Sequence, residues 1–136
     1  MPTTQVNMPN PDGWADKQAL LEAIRQGVPV SLIGTVQRRM GITQQRIAGL
    51  LNITARTLQR YAPTNRLNPP LSEKVAYLEH LQNLGRQVFG TDAQFAQWLQ
   101  EELPALNNAK PIAYLDTITG IQAVRETLLR YQHGIY

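Results

Sequence analysis

The residues of this chain best suited to direct chemistry with a partner are Arg56, Thr57, Gln59 and Arg60, four polar side chains within five positions. Arg can donate two hydrogen bonds to guanine O6 and N7, Gln can pair with adenine N6 and N7, and a Thr methyl can touch the thymine methyl. A helix presenting these four on one side therefore carries the chemistry of major-groove reading.

The surrounding stretch, Gly41 to Tyr61 (GITQQRIAGLLNITARTLQRY), spaces its residues as two short helices joined by a tight turn. Thr43 is placed to cap the first helix, and Ile47, Ala48 and Leu51 share a buried stripe in which the small Ala48 lets a second helix cross closely. Asn52 sits at the turn, where it tolerates a left-handed backbone, and Ile53 plugs the core beneath it. Thr54 caps the second helix, Leu58 and Tyr61 face inward, and the four groove-reading side chains are left outside. Pro63 closes the segment. Gln44 and Arg46, at the start of the first helix, are placed to approach phosphates. This is the layout of a helix-turn-helix, although an ordinary helical hairpin with a solvated polar face has the same outline.

Charge separates these two readings. From Arg25 to Lys74 the chain holds eight basic residues against the single acid Glu73, a net of +7, whereas residues 1–24 and 75–136 each carry −2 and the whole chain +3. A basic block coinciding with the helical pair is the footprint expected of a phosphate-binding module.

Composition excludes several other classes. With no cysteine there is no disulfide framework or thiolate metal site, which fits a reducing compartment. No run is long and apolar enough to span a membrane, and MPTTQVNMPNPDG lacks a signal-peptide pattern, so a cytoplasmic location is expected. His80 and His133 are far apart and without carboxylates at metal-binding spacing, His80 reading as a solvated residue. No nucleophile elbow or Gly-rich phosphate loop occurs. No enzyme, metal or cofactor is expected.

The remaining segments read as helices, so the fold class is all-α. Asp16 can cap a helix through Leu20, Leu21 and Ile24 that ends at Gly27, and Pro29 suits the first turn of another through Leu32, Ile33, Val36 and Met40. Thr64 to Pro70 reads as a linker because consecutive prolines cannot continue a helix. Ser72 then caps a long helix with Val75, Leu78, Leu81, Leu84 and Val88 on one side, ending at Gly90; core packing explains this stripe, part of which could serve as a dimer seam. Thr91 to Gln94 forms a capping box before Phe95, Trp98 and Leu99. After a break at Asn107-Asn108 and a short turn from Pro111, a last helix carries Ile121, Val124, Leu128 and Tyr131 on one face. Gly134 ends it, leaving Ile135 and Tyr136 as an apolar pair that docks either in the chain's own core or in a partner. Residues 1–13 read as a disordered N-terminus, 14–64 as a helix-turn-helix DNA-binding domain and 65–136 as a second helical domain.

Lys110 to Tyr136 resembles the C-terminal toxin-binding domain of the Xre/MbcA/ParS antitoxins, in Pro111, Leu115 and Thr117, then Gly120, Val124, Leu128 and Arg130, then Gly134-Ile135-Tyr136. Upstream, Phe89-Gly90 and Trp98-Leu99 fit the same pattern, with Asn107-Asn108 replacing a Gly-rich turn. The resemblance covers about residues 65–136, and the Xre branch of this family places a helix-turn-helix in front. It implies a type II antitoxin that silences a RES-domain toxin, whose ADP-ribosyltransferase-like fold consumes NAD, and that represses its own promoter. It further implies that 65–136 is the toxin-binding and possible dimerisation domain, and that Arg130, Tyr131, His133, Gly134, Ile135 and Tyr136 contact the toxin. Two-fold operators imply a homodimer on DNA. The alternative is a free-standing repressor whose second domain senses a ligand or only dimerises.

Overall fold

The computed structural model describes residues 14–132 and 134, and those residues fold as seven α-helices without a strand. The order is α1 (Trp14–Gln26), α2 (Ser31–Met40), α3 (Gln44–Leu50), α4 (Ala55–Arg60), α5 (Pro69–Phe89), α6 (Asp92–Leu99) and α7 (Ile118–Gln132), with 3-10 turns at Pro104–Leu106 and Pro111–Tyr114 between the last two. The all-α expectation holds, with the helix-turn-helix first and the second helical unit after it.

The central helix is α5, which packs against α1, α2, α6 and α7. Its start differs from the sequence expectation. Asn68 is the cap, accepting from the Leu71 amide at 3.0 Å, and Pro69 and Pro70 occupy the first two helical positions. Proline is at home there because those amides have no helical partner to lose. Ser72 is instead buried inside the helix, where its hydroxyl accepts from the Val28 amide and donates to the Leu67 carbonyl, both at 3.0 Å. The segment before it is stitched to the α1–α2 connection: Val30 donates to Asn65, Leu67 donates to Val28, and the Arg66 guanidinium donates to the Gly27 carbonyl at 2.7 Å. Residues 64–68 thus leave the helical path without forming a free linker.

Two further starts shift. Pro29 lies outside α2, in an isolated bridge with Arg66, and α2 begins at Ser31. The first helix already runs from Trp14, so Asp16 falls within its first turn. On α1, Leu20 and Ile24 are buried while Leu21 stays 45% exposed.

A single apolar cluster runs from Val28 to Leu128, and in its second half Phe95, Leu99, Leu115, Val124 and Leu128 are fully buried. It joins α2, the helix-turn-helix and the helices after α5, so the helix-turn-helix and the C-terminal elements share one core. His80 is drawn inward by this arrangement. Its side chain is 10% exposed, with Nε2 3.9 Å from Glu79 Oε2, because α5 is covered on several sides; the solvated reading of His80 is corrected. No described helix is long and apolar enough to cross a membrane, and no described group of His, Cys, Asp or Glu could hold a metal ion.

Candidate DNA-reading and toxin-binding surfaces

Both helices of the helix-turn-helix are built by their caps. The Thr43 hydroxyl accepts from the Arg46 amide and the Thr54 hydroxyl from the Thr57 amide, each at 3.0 Å. Asn52 turns the chain at φ 58°, and Ile47, Ala48 and Leu51 are buried beneath it. Ile53 and Tyr61 are half-buried against the same core, and Leu58 is buried. These contacts fix how α4 sits on α3.

Arg56, Gln59 and Arg60 are exposed on α4, and Gln44 and Arg46 are exposed on α3. Gln59 Nε2 donates to Gln44 Oε1 at 3.1 Å, so these two sites are brought together. Thr57 is half-buried, and its hydroxyl accepts from Thr54 at 2.9 Å, so it is less free than its neighbours. The reason is its place in the first turn, where the cap claims it.

The basic block divides into two kinds of residue. Three of the eight hold the fold. Arg39 forms a two-point pair with Asp92 at 3.2 and 3.3 Å, Arg66 holds Gly27, and Lys74 Nζ donates to the carbonyls of Leu50 at 3.2 Å and Asp116 at 2.7 Å. Burial lowers the Lys74 pKa, and the Asp116 charge offsets part of that. Burial alone would raise the Asp92 carboxyl, but hydrogen bonds from Arg39 and Gln82 and the charges of Arg39 and Arg86 outweigh it and hold the group below the usual carboxylate range. By contrast, the Arg46, Arg56 and Arg60 guanidinium groups form no hydrogen bond or ion pair among the described residues. They are among the cations available to a partner.

The end of α7 carries Arg130, which is exposed, and Tyr131, which is 39% exposed. The Tyr131 ring lies 5.1 Å from Phe89 and 6.5 Å from Trp98 between centroids, extending an aromatic group that also includes Phe95. Gly134 follows at φ 73°, with its amide donating to the Tyr131 carbonyl at 3.1 Å. His133, Ile135 and Tyr136 lie outside the described residues. At the other end of α7, a Cβ on Gly120 would collide with the Tyr114 carbonyl, which is why the turn at Pro111 can press so closely on the helix.

A hollow of about 220 Å³ beside Tyr131 is walled by Trp98, Leu103, Pro104, Ala105 and Thr127, with Glu101 and Arg130 also lining it. Glu101, Leu103, Pro104 and Ala105 are not recognisable as site residues from the sequence. Their one signal is the proline just beyond the Trp-Leu helix end, and a proline alone says only that the helix stops.

Two family models match the chain in succession: the antitoxin Xre-like helix-turn-helix domain over residues 19–80, and the antitoxin Xre/MbcA/ParS C-terminal toxin-binding domain over residues 84–134. The chain belongs to the Xre/MbcA/ParS antitoxin family. It is similar to an antitoxin Xre of Yersinia enterocolitica serotype O:8 / biotype 1B, at 26% identity over 119 residues that cover 86% of this chain and 80% of the relative. It is also similar to the Prs ADP-ribosylating antitoxin of Sphingobium sp. strain YBL2, at 28% identity over 123 residues covering 83% and 77%.

In this antitoxin the two matched stretches meet inside α5, between residues 80 and 84. The aromatic group, the hollow, Arg130, Tyr131 and Gly134 all fall within the toxin-binding stretch, and the capped helical pair falls within the helix-turn-helix stretch.

Proposed function

We propose that this antitoxin silences a RES-domain, NAD-consuming toxin through the end of α7 and the residues after it, and represses its own promoter as a cytoplasmic homodimer. Toxin contact is assigned to Arg130, Tyr131, His133, Gly134, Ile135 and Tyr136. DNA contact is assigned to Gln44, Arg46, Arg56, Thr57, Gln59 and Arg60. The observation that carries the reading is the pairing, in one chain, of a capped helix-turn-helix bearing uncommitted arginines with a toxin-binding domain. Support for NAD chemistry comes from the Sphingobium relative, whose name couples it to ADP-ribosylation. Arg and Tyr at the end of α7 are residue types enriched among interface anchors.

The test is expression of the neighbouring reading frame with and without this chain. Growth arrest and NAD loss that the chain reverses, together with sequence-selective binding of the chain to its upstream DNA, are expected. A neighbouring product that neither binds the chain nor harms cells would overturn the toxin assignment.

A further inference from the structure

Arg38 belongs to the basic block but stands outside the helix-turn-helix. It is exposed near the end of α2 and forms no hydrogen bond or ion pair among the described residues, whereas the adjacent Arg39 is consumed by Asp92. Successive helix residues point in different directions, so the pair divides: one arginine locks the fold and the other is offered outward.

Where Arg38 is offered matters. It lines an open groove of about 730 Å³ between α2 and the end of α4, which it shares with Gln44, Leu58, Tyr61 and Pro63. Gln44 is the residue bonded to Gln59 of α4, so the groove opens onto the elements assigned to DNA. Gly34 helps to place the guanidinium. A Cβ at that position would stand 3.2 Å from Arg38 Nη1, so the side chain lies back along α2 over the space that glycine leaves. Glu79 also lines the groove and is buried, with a side chain 8% exposed. Arg38, exposed where Glu79 is buried, is therefore the uncommitted cation that an anionic partner arriving from solvent meets at this groove.

We infer that Arg38 is a contact to the DNA phosphate backbone, extending the protein's footprint from the helix-turn-helix onto α2. The inference rests on the DNA-binding reading above. A guanidinium on a helix surface facing the duplex neutralises one phosphate and releases its counterion, without reading a base.

The experiment compares Arg38→Ala, Arg38→Lys and the Arg56→Ala/Arg60→Ala double variant in the full chain, titrated over a range of salt onto two duplexes. One duplex is the DNA upstream of the gene and the other a scrambled sequence of equal length. Arg38→Ala is expected to bind both duplexes more weakly by roughly the same factor, about fivefold, with the slope of log affinity against log salt reduced by about one. Arg38→Lys, which keeps the charge, restores the slope. Circular dichroism and thermal unfolding of the variants match the parent chain, since Arg38 holds nothing.

Unchanged affinity and slope in Arg38→Ala would overturn the inference, as would a loss confined to the upstream sequence with the slope intact. The double variant separates this failure from failure of the parent reading. If it loses sequence preference while Arg38→Ala changes nothing, α2 is outside the footprint but the helix-turn-helix still reads DNA. If neither changes binding, the DNA assignment itself fails.

Discussion

The Gln59 side-chain amide donates to the Gln44 side-chain oxygen across 3.1 Å, joining the next-to-last residue of α4 to the first residue of α3. A long, exposed Gln would otherwise lose rotamer freedom on meeting a base edge, and the bond holds it in one orientation beforehand. Gln44→Ala is therefore expected to weaken operator binding even though Gln44 need not touch a base. In a double-mutant cycle with Gln59→Ala, the two losses should be non-additive by about 0.5–1.5 kcal/mol, the worth of an ordinary hydrogen bond. Strict additivity would mean that the bond does not orient Gln59 on DNA.

Arg56 and Arg60 differ from Arg46 in the kind of loss they predict. Two-point contacts to guanine carry about 1–3 kcal/mol of discrimination, so Arg56→Ala or Arg60→Ala should cost about that much on the operator and little on unrelated DNA. Arg46→Ala should weaken all sequences alike and flatten the salt dependence. Competition binding with single-base operator variants distinguishes the two patterns, and operator affinity that is unchanged in the Arg56→Ala/Arg60→Ala variant would remove α4 from the recognition role.

Local features of the sequence transferred well, and long-range ones did not. Thr43, Thr54 and Thr91 cap their helices, and Asn52, Asn107 and Asn108 take positive φ, because a cap or a left-handed turn is decided within three or four residues. Pro69-Pro70 misled as a break because a proline pair at the first two helical positions looks the same, in sequence, as one in a linker; what decides is Asn68 one residue earlier. Ser72 and His80 misled for a different reason. Whether a polar residue is a cap, a surface group or a buried stitch depends on what packs over it, and Ser72 meets Val28, 44 positions away. The division of the basic block was hidden for the same reason, since Arg39 reaches Asp92 and Lys74 reaches Asp116 only through the fold.

The Arg39–Asp92 pair gives a stability prediction with a definite sign in pH. Asp92 is held below the ordinary carboxylate range in the folded chain, so its contribution is fully present above the unfolded value of about 3.8 and is lost as pH falls through the folded value. Asp92→Asn should lower the melting temperature at neutral pH by about 3–5 °C, corresponding to about 1 kcal/mol for a partly exposed pair after solvent screening. The difference from the parent chain should shrink as the pH is lowered below about 4 and should vanish in strong acid. A pH-independent difference would indicate that packing around Gln82 and α6, rather than charge, holds the α2–α6 contact.

At the end of α7, folding and inhibition should separate between two neighbouring cuts. The Tyr131 ring rests against Phe89 and Trp98 while remaining 39% exposed, so it belongs partly to the antitoxin's own packing and is still available to a partner. At Gly134, in contrast, a Cβ would meet nothing within 4 Å among the described residues, and its φ of 73° is the conformation that favours glycine there. It turns the chain without supporting the core. Removing residues 133–136 should therefore leave helical content, thermal unfolding and operator binding unchanged, while the toxin regains part or all of its NAD consumption. Extending the deletion to Tyr131 should add a loss of stability of about 0.5–1.5 kcal/mol, the range for an aromatic contact, again without affecting DNA binding. If Ile135 and Tyr136 instead fill the antitoxin's own core, the order reverses: the shorter deletion already lowers the melting temperature, and inhibition returns whenever the protein is folded. Thermal unfolding and toxin NAD consumption measured on the same two truncated proteins decide the matter, and full inhibition by a stable protein lacking residues 133–136 would exclude the tail as the inhibitory element.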